Sequence, residues 1–96
     1  MNRKYYVYIM ANFTNSVLYI GVINNLIRRV YQHKQETSDI FTKRYHVTRL
    51  VYFEVCDDSY SAISREKQLK GGSRKQKIIL IETQNPEYMY LYEKII

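Results

Sequence analysis

Five side chains of this 96-residue sequence have types and spacings that could do chemistry: Tyr8, Tyr19, Arg29, His33 and Glu66. Glu66 is the least easily explained as packing. In "SAISREKQLKGG" (61–72), a helix advancing about 100° per residue puts Ala62, Ile63 and Leu69 on an apolar stripe, with Glu66 roughly 40° round from Ala62. A carboxylate turned toward a core loses hydration worth several kcal/mol unless positive charge meets it. Tyr8 and Tyr19 lie on strand-like runs, where packing with the hydroxyl at a rim is the ordinary role. Arg29 and His33 are i, i+4 neighbours on one helix. The helix of Glu66 holds no second acid, so no paired-carboxylate metal cluster is legible. HExxH, CxxC, a Gly-rich phosphate loop and a serine elbow are all absent. The chemistry left is one that needs a single carboxylate.

The elements that must position these groups follow from periodicity. "YYVYIMA" (5–11) alternates as a strand, with Tyr5, Val7 and Ile9 opposed to Tyr6, Tyr8 and Met10. "NFTNS" (12–16) has turn composition, and "VLYIGV" (17–22) alternates again, which predicts an antiparallel hairpin. With Tyr8 opposite Tyr19 the loop reduces to Phe13-Thr14, and Gly21 on the tyrosine face leaves room for an approach to the backbone. Asn24 or Asn25 caps a helix to about Glu36, its apolar stripe Leu26, Ile27, Val30 and Tyr31. Residues 37–46 read as a polar loop. "TRLVYFEVC" (48–56) is a third strand with Val51, Phe53 and Val55 on one side. Asp58 or Ser59 caps the Glu66 helix, Gly71-Gly72 ends it, and Ser73-x-x-Gln76 is a capping box for a last helix that Asn85-Pro86 stops. The expected fold is α+β: one domain over 1–96, a small antiparallel three-stranded sheet flanked by helices in the order β-β-α-β-α-α. Its core is expected over about 4–86, with 87–96 a tail or a packed extension.

Charge narrows the partners. The net charge is +6 and eleven residues are tyrosine, with no tryptophan. Arg65, Lys67, Lys70, Arg74, Lys75 and Lys77 are gathered in one stretch, with Glu66 the only acid among them. That gathering favours a nucleic-acid partner. Lys43, Arg44, Lys70, Arg74 and Lys75 are the candidate phosphate contacts. No apolar run approaches a membrane span, so no membrane partner is expected. The lone Cys56 makes an internal disulfide impossible, and a reducing cytoplasm is the expected location. Two rivals compete with an enzyme. One is a basic module that binds nucleic acid without cutting it; the other is a protein-interaction domain using the tyrosine-rich 88–92.

"YVY" (6–8), "YIG" (19–21), Arg29, His33, "REKQLKG" (65–71) and "NP" (85–86), in this order, resemble the GIY-YIG nuclease superfamily, in particular its small stand-alone bacterial members. The resemblance runs from about Lys4 to Pro86. It implies an endonuclease-like domain that hydrolyses phosphodiester bonds, expected in DNA, with one divalent metal, Mg2+ with Mn2+ as a substitute. It implies Glu66 as the metal ligand, Tyr8 as base for the attacking water and Tyr19 as a group positioning water or phosphate. Arg29 would neutralise charge growing on phosphorus, and His33 would assist the base. Asn85 matches a polar residue late in some members. The first motif retains only its tyrosine, Val22 stands where some members carry lysine, and Ile23 and Gly72 also depart from the pattern. With no further DNA-binding domain in the chain, sequence-specific cutting is expected to need a protein partner.

Overall fold

A computed structural model describes residues 4–35 and 43–95. The end of the first expected helix at Glu36 and most of the expected 37–46 loop lie outside the described residues. Strand β1 (Tyr5–Ala11) pairs antiparallel with β2 (Leu18–Ile23) on one side and with β3 (Arg49–Cys56) on the other, giving the order β2-β1-β3. Helix α1 (Leu26–Lys34) separates β2 from β3, and α2 (Ser59–Gly71) and α3 (Arg74–Gln84) follow. This is the expected α+β order, with one addition: a single turn, α4 (Tyr92–Ile95), near the C-terminus. No helix among the described residues is long and apolar enough to cross a membrane.

Period-2 alternation gives the sheet two cores. Val7, Ile9, Ala11 and Ile20 face α2 and α3, packing with Val51, Tyr52, Ala62, Leu69 and Ile81. Tyr8 and Met10 face the other way, onto Leu26 and Val30 of α1, with Val47, Leu50 and Leu91. Each buried Val, Leu, Ile or Met among them contributes about 1.5–3 kcal/mol. Local capping works as the residue types require. Asn25 accepts the Arg28 N–H at 3.0 Å, and Asp58 accepts the Ser61 N–H at 2.7 Å. Ser73 and Gln76 close the capping box on α3.

Four sequence expectations change. First, Tyr8 stands opposite Gly21, and Met10 opposite Tyr19, so the hairpin register is two residues from the one expected. The tight turn it required needs left-handed backbone at its centre, which Phe13 and Thr14 adopt poorly. Instead Asn15 takes the left-handed position at φ 61°. The Asn12 carboxamide accepts the Val17 N–H at 3.0 Å, closing a longer loop. Second, a bulge in β3, opposite the Ile9–Met10 step, turns Val51 to the α2 side together with Tyr52, while Phe53 packs on the α1 side. Val51 and Phe53 therefore do not share a face. Third, α1 is rotated: Leu26, Val30 and His33 are buried, while Ile27 and Tyr31 are exposed. Fourth, Ile63 is exposed, so the inward stripe of α2 is Ala62 and Leu69.

The segment after α3 packs on the sheet. The Leu91 N–H donates to the Leu50 carbonyl at 3.1 Å, and the Lys34 ammonium stands over the rings of Tyr90 and Tyr92 at 5.3 and 4.3 Å.

Candidate active site

Alternation sends Tyr8 from the central strand and Tyr19 from the edge strand onto the face that α1 covers. Their ring centroids are 6.4 Å apart. His33 completes a triangle, 6.0 Å from Tyr8 and 5.3 Å from Tyr19. Both distances suit tilted or edge-on aromatic packing. Tyr8 and His33 are buried and Tyr19 half-buried, so the cluster reaches solvent at the edge strand. Gly21 is the reason Tyr8 can lie there: a Cβ on Gly21 would come within 2.5 Å of Tyr8 Cζ. The space beside that glycine is filled by the tyrosine ring rather than left for a ligand.

Arg29 sits one turn before His33 on the same face of α1. Its Nε is buried and has no hydrogen-bond partner among the described residues. A buried charged donor left in this state is costly, and an oxyanion entering beside it would relieve that cost.

Glu66 comes from the opposite side of the sheet. Helix α2 lies against all three strands, with its first turns beside the end of β2 and its last turn beside the start of β2. Ser59 and Ile63 share one hollow with Val22 and Ile23, and Lys70 shares a cleft of about 300 Å³ with Leu18, Tyr19, Ile20 and Lys77. Glu66, between Ile63 and Lys70 in helical order, therefore faces the middle of β2. Its side chain is 18% exposed and its Oε2 pairs with Lys70 Nζ at 3.4 Å. Tyr19 is thus the shared member: it belongs to the aromatic triangle and also lines the cleft with the lysine that meets Glu66.

The donor set accords with a hard divalent cation held by one carboxylate. Magnesium takes oxygen ligands and keeps several waters, so one carboxylate plus phosphate oxygens is enough. The lysine now against Glu66 is exposed and can move away. Among the described residues no group of three His, Cys, Asp or Glu side chains could hold a metal, which does not match a closed zinc site.

The basic run divides: Arg65 and Arg74 tie distant segments together, while Lys77 donates to the nearby Gly72 carbonyl at 3.2 Å. Arg65 grips Glu54 of β3 with Nε at 3.0 Å from Oε1 and an Nη at 2.9 Å from Oε2. Tyr52 donates its hydroxyl to the same carboxylate. Burial by itself would raise the Glu54 pKa, but the hydrogen bonds from Arg65 and Tyr52 hold it below the usual carboxylate value. Burial, then Glu54, pushes the Tyr52 phenol up. Arg74, read from the sequence as a phosphate contact, donates instead to the carbonyls of Ser16 and Asn15 at 3.1 and 2.5 Å. The planar fork of arginine suits such paired acceptors. Lys67, Lys70 and Lys75 stay exposed. Lys43 and Arg44 are exposed beside Tyr45 and do not line the cleft.

Asn85 has a structural task. Its buried amide donates to the carbonyls of Val51 and Met89 at 3.1 and 2.9 Å and accepts the Met89 N–H at 2.9 Å. Lys77, named in the basic run but not among the candidate phosphate contacts, lines the cleft, and nothing separates it in sequence from its basic neighbours. One residue has no sequence signal at all. Arg49 donates to the carbonyls of Phe13 and Tyr88 at 2.9 and 2.8 Å, a role with no local signal.

The family model of the GIY-YIG catalytic domain matches residues 4–79. A UPF0213 protein of Syntrophus aciditrophicus is 36% identical over 90% of this chain and 98% of its own length. One of Pediococcus pentosaceus is 36% identical over 77% of each chain. The solution structure of a UPF0213 protein from Bacillus halodurans is similar at a TM-score of 0.57 and 26% identity, covering 88% of this chain and 89% of that one. The matched stretch spans the aromatic triangle, Arg29 and Glu66, and the chain belongs to the GIY-YIG catalytic-domain family.

Proposed function

We propose that the protein is a metal-dependent endonuclease that hydrolyses phosphodiester bonds in nucleic acid, with DNA as the preferred substrate. The observation that carries this reading is that Tyr19 of the Tyr8–Tyr19–His33 triangle also lines a cleft with Lys70, the ion-pair partner of Glu66. Family membership supports the same chemistry. A phenol is a poor base unless positive charge stands near it, and Arg29 brings a permanent one. In this reading Tyr8 Oη takes the proton of the attacking water as its own proton passes to the neighbouring His33 ring. The water oxygen bonds to phosphorus, the phosphorus–oxygen bond to the leaving alkoxide breaks, and that oxygen takes a proton from solvent. Tyr19, at the cleft mouth, orients the phosphate. Arg29 stabilises the charge that grows on the phosphoryl oxygens, the larger electrostatic effect expected in phosphoryl transfer. Glu66 would hold the divalent ion, Mg2+ or Mn2+, whose chemistry when bound would be to polarise a phosphoryl oxygen and acidify water.

A second reading has one observation in its favour. The Glu66–Lys70 pair gives Glu66 a partner within the protein, which a basic binding module without cleavage would require. Labelled DNA and RNA substrates incubated with Mg2+, Mn2+ or EDTA separate the two. The nuclease reading expects cutting with either metal and none in EDTA. Arg29→Ala should lower the rate by about 10²–10³-fold, and Tyr8→Phe and Glu66→Gln should abolish it. A wild type that binds every substrate and cuts none returns the binding module to first place, and a Glu66→Gln protein that cuts normally removes Glu66 as the metal ligand.

A further inference from the structure

The β1–β2 loop displays the most exposed large apolar side chain described, Phe13, at 86% exposure. The loop beneath it is held from several directions. Asn12 and Val17 exchange backbone and side-chain hydrogen bonds, Arg49 holds the Phe13 carbonyl itself, and Arg74 holds those of Asn15 and Ser16. A phenyl ring in water on a tightly held backbone contributes nothing to the core, yet it is pre-organised for a flat apolar partner. Its surroundings select that partner. The loop leads directly into Leu18 and Tyr19 of the cleft, which Lys70 and Lys77 also line, and Lys75 stands exposed beside Arg74. An aromatic face next to positive charge matches a nucleobase attached to phosphate.

Resting on the proposed nucleic-acid function, we infer that Phe13 is a stacking platform for an unpaired base of the substrate strand, adjacent to the phosphate bound in the Tyr19–Lys70–Lys77 cleft. The ring requires an open base face, which a continuous duplex does not present. The substrate therefore contains single-stranded nucleotides next to the cleavage position.

Equilibrium binding in EDTA tests this without any need for cutting. The probes are a single-stranded DNA oligonucleotide, its RNA counterpart and a blunt duplex of equal length, titrated against wild type, Phe13→Ala and Phe13→Trp. Phe13→Ala should weaken single-strand binding by about 5- to 150-fold, the range of one lost base stack. The dependence on salt should keep the same slope, because no charge is lost. Phe13→Trp should bind as wild type or tighter, and the duplex should bind both alike. DNA and RNA arms that respond equally assign the contact to the base face. Equal single-strand affinity of wild type and Phe13→Ala overturns the inference and leaves the nuclease reading intact. An equal loss on the duplex overturns the unpaired-base assignment. Absence of binding by wild type to all three probes overturns both.

Discussion

Tyr8 and Gly21 face each other across the β1–β2 pair, and the ring of the first occupies the space that a side chain on the second would need. The tyrosine of one motif and the glycine of the other are one packing unit, tied by antiparallel pairing. Gly21→Ala should therefore cost about 1–3 kcal/mol, the usual range for overpacking, read from urea midpoints. In a Tyr8→Ala background most of that cost should vanish. Equal costs in both backgrounds would contradict the packing unit.

The Glu54–Arg65 pair fixes α2 on β3 and should be visible in acid. The Glu54 carboxyl titrates below its unfolded value, so its contribution is complete above about pH 4.3 and is lost as pH falls through the lower folded value. Tyr52 has the opposite sign: its raised phenol removes stability as pH climbs above about 10. Urea midpoints measured from pH 3 to 6 should fall toward acid in wild type and flatten in Glu54→Gln. An equally steep acid limb in that variant would remove Glu54 as its source. Arg65→Ala at neutral pH should cost about 1–2 kcal/mol, since the pair is partly open to solvent.

Two neighbouring cations should behave differently. Lys75 is exposed, so Lys75→Ala should leave the melting temperature unchanged and lower the salt slope of nucleic-acid binding by about 0.7–0.9. Arg74 ties α3 to the hairpin loop through two carbonyls. Arg74→Ala should lower stability by about 1–2 kcal/mol. Thermal melts paired with binding at several salt concentrations distinguish these outcomes, and identical behaviour of the two variants would refute the division.

Asn85 should separate stability from chemistry. Asn85→Ala leaves buried backbone groups of Val51 and Met89 without their partner, at about 1–3 kcal/mol. Well below its melting temperature the variant should cut at the wild-type rate. A large rate loss in a fully folded variant would place Asn85 in the site after all.

Much of this protein is determined locally. Alternation put Tyr8 and Tyr19 on one sheet face, because side-chain parity along a strand survives any even shift in register. Asn25, Asp58 and the Ser73–Gln76 box begin the helices where they should, because a cap is a contact between residues three apart. The inward lean of Glu66 was legible from helical angle alone. What the tertiary structure decided was everything that joins distant segments. The hairpin register depended on Asn15 accepting a left-handed backbone, and the side taken by Val51 depended on a bulge. His33 outcompeted Ile27 and Tyr31 for the buried face of α1 because two tyrosine rings from the sheet receive it there. The division of the basic run followed from carboxylate and carbonyl partners far away in sequence. Periodicity says which way a side chain leans; only the assembled sheet and helices say what it meets.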